Sequence, residues 1–79
     1  MNRIEIEAKL VEIAGKVLKT SIDATSDAGN TPNWDSLRHV EIVFAAEEAL
    51  DVEFPEDALT KLKGIQALAD AAVAYLEAA

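Results

Sequence analysis

GIQALADAAVAYL, residues 64 to 76, sets Ile65, Leu68, Ala69, Ala72, Val73 and Leu76 at i, i+3, i+4, i+7, i+8 and i+11 without a gap. At about 3.6 residues per turn these side chains form one apolar stripe on a helix, so the segment needs a core to pack against. Gly64 marks its start. Moving upstream, Pro55-Glu56-Asp57 opens a short third helix that is over by Leu62, because a proline and two acids suit the free N–H groups and positive dipole end of a first turn. Before it, a second helix runs from Asp35 or Ser36, both good N-cap residues, to about Leu50, where DVEFP stops it through Pro55. A first helix covers Asn2 to Leu18, with Ile6, Leu10, Ile13, Ala14 and Val17 at helical spacing and Glu5, Lys9, Glu12 and Lys16 on the other faces.

Between the first two helices lies KTSIDATSDAGNTPNWD, residues 19 to 35, rich in Ser, Thr, Asn, Asp and Gly and read as a long loop. A loop beyond about 12 residues in a compact domain is functional or anchored by its own side chains, and Ile22 and Trp34 are the anchors it offers. No β-alternating run competes with these helices, and no repeat or linker divides the chain. The expectation is all-α: a four-helix bundle with a short third helix and a long loop between helices 1 and 2, in one domain spanning residues 1–79.

The chain has 79 residues, a formal net charge of -8 and no cysteine. A chain of this length buries roughly 60 to 65% of its unfolded surface, too little to wall off a deep active site. The acidity argues against nucleic acid and anionic membrane, since phosphate binding needs clustered Lys and Arg, and it favours partners with basic patches. Without cysteine there are no disulfides or thiolate metal sites. No His cluster or calcium-loop spacing suggests a metal. No run approaches the roughly 20 apolar residues of a membrane span, and the amino-terminal segment lacks a signal-type apolar region. The compartment expected is the cytoplasm.

The second helix has two apolar faces. Ile42, Val43, Ala46, Ala49 and Leu50 lie on one side, and Leu37, Val40 and Phe44 on roughly the opposite side. Glu41, Glu47 and Glu48 share the second side, and carboxylates resist full burial. The first side is therefore core. The second is a half-exposed apolar patch rimmed by acid, the anatomy of a transient docking site, unless it packs beneath the long loop or the third helix. Ser36 at the helix start could merely cap it. A phosphate ester there would also meet the free N–H groups of the first turn. His39, one turn on, invites comparison with a Ser–His hydrolase pair. A chain this small, without an orienting group, an oxyanion site or a Gly-x-Ser-x-Gly turn, offers little to support one, and no residue is assigned a catalytic role.

Asp35-Ser36-Leu37, followed by Val40-Glu41, Glu47-Glu48 and Phe54-Pro55, resembles the pattern of acyl carrier proteins, and the resemblance covers most of the chain. It implies that a phosphopantetheinyl transferase moves 4'-phosphopantetheine from coenzyme A onto Ser36, and that the arm's thiol holds acyl intermediates as thioesters. It also implies that Asp35, Leu37, Val40, Glu41, Phe44, Glu47 and Glu48 meet the transferase and the acyl-loading and acyl-using enzymes of fatty acid, lipid or specialised acyl metabolism. The protein so read is a monomer and not an enzyme. An aminoacyl or peptidyl-type carrier, or an acidic helical adaptor without a prosthetic group, are the alternatives. The lead-in Asn30-Thr31-Pro32-Asn33-Trp34 differs from the Leu-Gly type common in the family, and Trp34 is read as a loop anchor, with contact to the arm or its cargo as the alternative.

Overall fold

The computed structural model describes residues 1–78 and is all-helical, with α1 at Arg3–Leu18, α2 at Ser36–Leu50, a 3₁₀ turn at Glu56–Leu59 and α3 at Ile65–Ala78. Asn2 starts α1 through a capping box, its side chain accepting from the Glu5 N–H at 2.9 Å while the Glu5 carboxylate reaches back to the Asn2 N–H. Lys19 and Asp51 end α1 and α2 in the left-handed conformation, each turning its N–H back onto the helix it closes.

Ile6, Leu10, Ala14 and Leu18 of α1 are buried, with Ile42, Val43, Ala46 and Leu50 of α2 and Ile65, Leu68, Ala69 and Ala72 of α3. α1 packs against both α2 and α3, and the 3₁₀ turn packs against α2. The stripe of residues 65 to 76 is the face that α3 turns to the core, with Val73 and Leu76 half-buried at its outer end. Ala49 differs from expectation. It lies at the edge of the core-facing arc of α2 and is exposed.

The short third helix is replaced by a single 3₁₀ turn. Pro55 stands as its N-cap rather than inside it, and the Thr60 N–H closes onto the Asp57 carbonyl. Four residues are too few to repeat the α-helical bond pattern, and short connectors commonly take the tighter form.

The long loop is built from side-chain turns. Asp23 accepts from both the N–H and the hydroxyl of Thr25, and Asp27 accepts from the N–H groups of Gly29 and Asn30. The loop is tied to the start of α3 by Ala28 N–H to the Lys63 carbonyl and Ile65 N–H to the Ser26 carbonyl, around a bridge between Asp27 and Gly64. Gly64 permits that approach, because a Cβ there would stand 2.9 Å from the Asp27 Cβ. Ile22 is half-buried against the core and Trp34 is 5% exposed, so both anchor the loop.

Candidate functional site

The chain enters α2 through a bend at Asn33, whose φ of 70° is left-handed and tolerated by an asparagine. The Asn33 side chain donates to the Leu18 carbonyl at 3.3 Å, pinning the bend to the end of α1. Asp35 is the N-cap: its Oδ1 accepts the Arg38 N–H at 2.9 Å and its Oδ2 meets the Arg38 guanidinium at 2.9 Å. The Arg38 N–H, followed by the guanidinium charge, holds the Asp35 carboxyl below its ordinary range.

With Asp35 in the capping role, Ser36 is the first residue inside the helix. It is exposed, and its hydroxyl makes no hydrogen bond to the other described residues. Its N–H and that of Leu37 lie in the first turn, where no intrahelical acceptor exists. The serine is thus spared the structural task that most helix-start serines perform.

The rest of the second apolar face of α2 is open. Leu37 is 68% and Phe44 58% exposed, Val40 is half-buried between them, and Glu41 and Glu48 are exposed beside them. Neither the long loop nor the 3₁₀ turn covers this face, so Leu37 and Phe44 stand in solvent among acids. Phe44 also edges a cleft of about 110 Å³ shared with Val43, Phe54, Pro55 and Leu59. Glu47 departs from its neighbours. It is half-buried, and its Oε2 accepts the Phe54 N–H at 2.8 Å.

His39 is turned inward with no exposed surface. The Trp34 indole N–H donates to His39 Nδ1 at 3.0 Å, and His39 Nε2 stands 2.7 Å from the Ala58 carbonyl. A carbonyl only accepts, so Nε2 carries the proton and the ring is neutral. Burial is the main cause that depresses its pKa, with Lys63 adding to it and the Ala58 bond opposing. Both nitrogens are occupied. His39 therefore has none to offer Ser36, and the two do not form a catalytic pair.

Two relatives match nearly the whole chain: an acyl carrier protein of Guillardia theta, 34% identical over 73 residues covering 89% of this chain and 90% of the relative, and one of Prochlorococcus marinus (strain MIT 9515), 36% identical over 81 aligned positions covering 99% of this chain and 96% of the relative. The chain belongs to the acyl carrier protein family. Members of the acyl carrier protein family are carriers rather than enzymes and bear a covalently attached 4'-phosphopantetheine. Their role implies contact with a transferase and with acyl-handling enzymes. No family model and no solved structure matches this acyl carrier chain. Among its described residues, no helix is long and apolar enough to cross a membrane.

Proposed function

We propose that Ser36 carries the 4'-phosphopantetheine arm, and that Asp35, Leu37, Val40, Glu41, Phe44, Glu47 and Glu48 form the surface on which the transferase and the acyl-loading and acyl-using enzymes dock through basic patches. The observation that carries the reading is the division of labour at the start of α2. Asp35 caps the helix, which leaves the Ser36 hydroxyl exposed and without a partner among the described residues. The residues present fit the group. The free N–H groups of the first turn favour a phosphodiester there, and Arg38, 2.9 Å from Asp35, offsets the acid that stands next to it.

When bound, the arm supplies a thiol that holds acyl groups as thioesters, and with no cysteine in the chain it is the only thiol present. The protein's own residues present it. Glu41 and Glu48 steer a basic partner, while Leu37 and Phe44 give the encounter a small apolar centre. A face this small suits brief contact with successive enzymes.

The order α1, α2, 3₁₀ turn, α3 supports reading the chain as a four-helix carrier bundle whose third helix is reduced to one turn. One continuous core among the described residues supports reading residues 1–79 as a single domain, and the net charge of -8 supports a monomer through self-repulsion and solubility; a cytoplasmic location belongs to the same proposal. Intact mass after incubation with coenzyme A and a broad-specificity phosphopantetheinyl transferase tests the central claim. Wild type gains one phosphopantetheine and Ser36→Ala gains none. Equal gain by both, or none by wild type, removes Ser36 from the role.

A further inference from the structure

The buried bridge from Trp34 through His39 to Ala58 joins three parts of the fold at one imidazole. Trp34 lies at the end of the long loop, two residues before Ser36 and one before the Asp35 cap, His39 is in the first turn of α2, and Ala58 belongs to the 3₁₀ turn. The Trp34 and His39 rings lie 6.0 Å apart at a 31° tilt, so they pack as well as bond. Apart from this bridge and the Asn33 contact to Leu18, no side-chain hydrogen bond of residues 31 to 34 reaches the bundle among the described residues.

We infer that His39 is a positioning residue for the modification of Ser36: by accepting the Trp34 N–H it fixes the lead-in to α2 so that the serine hydroxyl is held outward at the helix's first position. The inference rests on Ser36 being the attachment site. It requires the neutral ring. A proton on Nδ1 would face the indole N–H donor with another donor and break the link. Lys63, whose charge reaches the ring, opposes that protonation. The other charged groups on the adjoining elements, the Asp35–Arg38 pair, Glu56 and Asp57, are exposed, and Lys61 and Glu41 are exposed as well.

The test measures kcat and KM of a purified phosphopantetheinyl transferase for the full-length protein with coenzyme A. Trp34→Phe keeps an aromatic anchor and removes the N–H. His39→Leu removes both bonds, and His39→Asn places an amide oxygen near the Nδ1 position and so restores the acceptor for Trp34. With the docking face untouched, the first two variants lower kcat by roughly tenfold at nearly unchanged KM, since misplacement of a reacting atom by about 1 Å costs up to about 10²-fold. His39→Asn recovers most of the rate. The ratio of the wild-type to the His39→Asn rate falls in acid, in parallel with a change in the fluorescence of Trp34, the only tryptophan.

Wild-type kcat in folded Trp34→Phe and His39→Leu, with helix content checked by circular dichroism, overturns the inference while leaving Ser36 in place. An equal loss in all three variants without rescue by Asn also overturns it, because that pattern follows from burial alone. A wild type that accepts no phosphopantetheine overturns the Ser36 reading, and the inference falls with it.

Discussion

Glu47 gathers the chain as it leaves α2: its side-chain Oε2 accepts the Phe54 N–H at 2.8 Å, and its backbone carbonyl accepts from Asp51 and Val52. Three donors that would otherwise be orphaned past a helix end are satisfied by one residue. The consequence is a fixed path for Val52 and Phe54, each 7% exposed, into the core. Glu47→Ala removes the side-chain acceptor and leaves a partly buried N–H unpaired. The expected loss is about 1 to 3 kcal/mol, read from the urea midpoint at unchanged slope. Glu48→Ala, on the exposed face, stays within about 0.5 kcal/mol.

The docking face gives the opposite pattern. Glu41 is exposed and Phe44 is 58% exposed, meeting the fold only at the edge of its cleft with Phe54 and Leu59, so Glu41→Lys and Phe44→Ala keep wild-type helix content and unfold at nearly the wild-type temperature. Both slow phosphopantetheinylation through a raised KM. Glu41→Lys does so more strongly at low salt, where steering is least screened. An unchanged KM in both variants would leave the face without a partner.

Much of this was legible in the chain, because it depends on local pattern. The stripe from Ile65 to Leu76, the start of α2 beside Ser36 and its end at Leu50, and the anchoring by Ile22 and Trp34 follow from periodicity, caps and composition. Polarity hides the core position of His39 in the sequence, although it stands at i in the series His39, Ile42, Val43, Ala46 and Leu50, the same stripe one turn earlier. Only the indole N–H and the Ala58 carbonyl, both outside the helix, make its burial tolerable. Glu47 looks like the surface acids beside it for a similar reason: its acceptor role needs an N–H seven residues away, across a turn. The 3₁₀ form of residues 56 to 59 depends on a hydrogen-bond register that proline and acids do not specify.

Gly64 tests the docking of the long loop. Ala in its place would put a Cβ 2.9 Å from the Asp27 Cβ and 3.6 Å from the Ser26 carbonyl oxygen, against a loop held by its own Asx turns. Gly64→Ala is expected to cost about 1 to 3 kcal/mol, as overpacking does. It also speeds hydrogen exchange at the Ala28 and Ile65 amides, which bond across this contact. Gly29→Ala, on the exposed side of the same loop, meets only the end of the Asp27 side chain and serves as the control.

The acid limb of stability should carry the mark of His39. Its pKa in the folded protein lies below the ordinary 6.5, chiefly through burial, so between those two values the unfolded chain binds a proton that the folded chain does not. Stability then rises with pH across that window: it is complete above about 6.5 and is lost as pH falls toward the folded value. Asp23 and Asp35, held below their ordinary 3.8 by hydrogen bonds from Thr25 and Arg38, lose their contribution only in a lower window. Denaturant titrations at steps from pH 7 to below pH 3 separate the two. The wild-type curve declines from about pH 6.5, whereas His39→Asn, with nothing to titrate at that position, is less stable at pH 7 and flatter until the carboxylates begin to protonate. Parallel curves for the two proteins would mean that the folded protein does not hold the His39 pKa below its ordinary value.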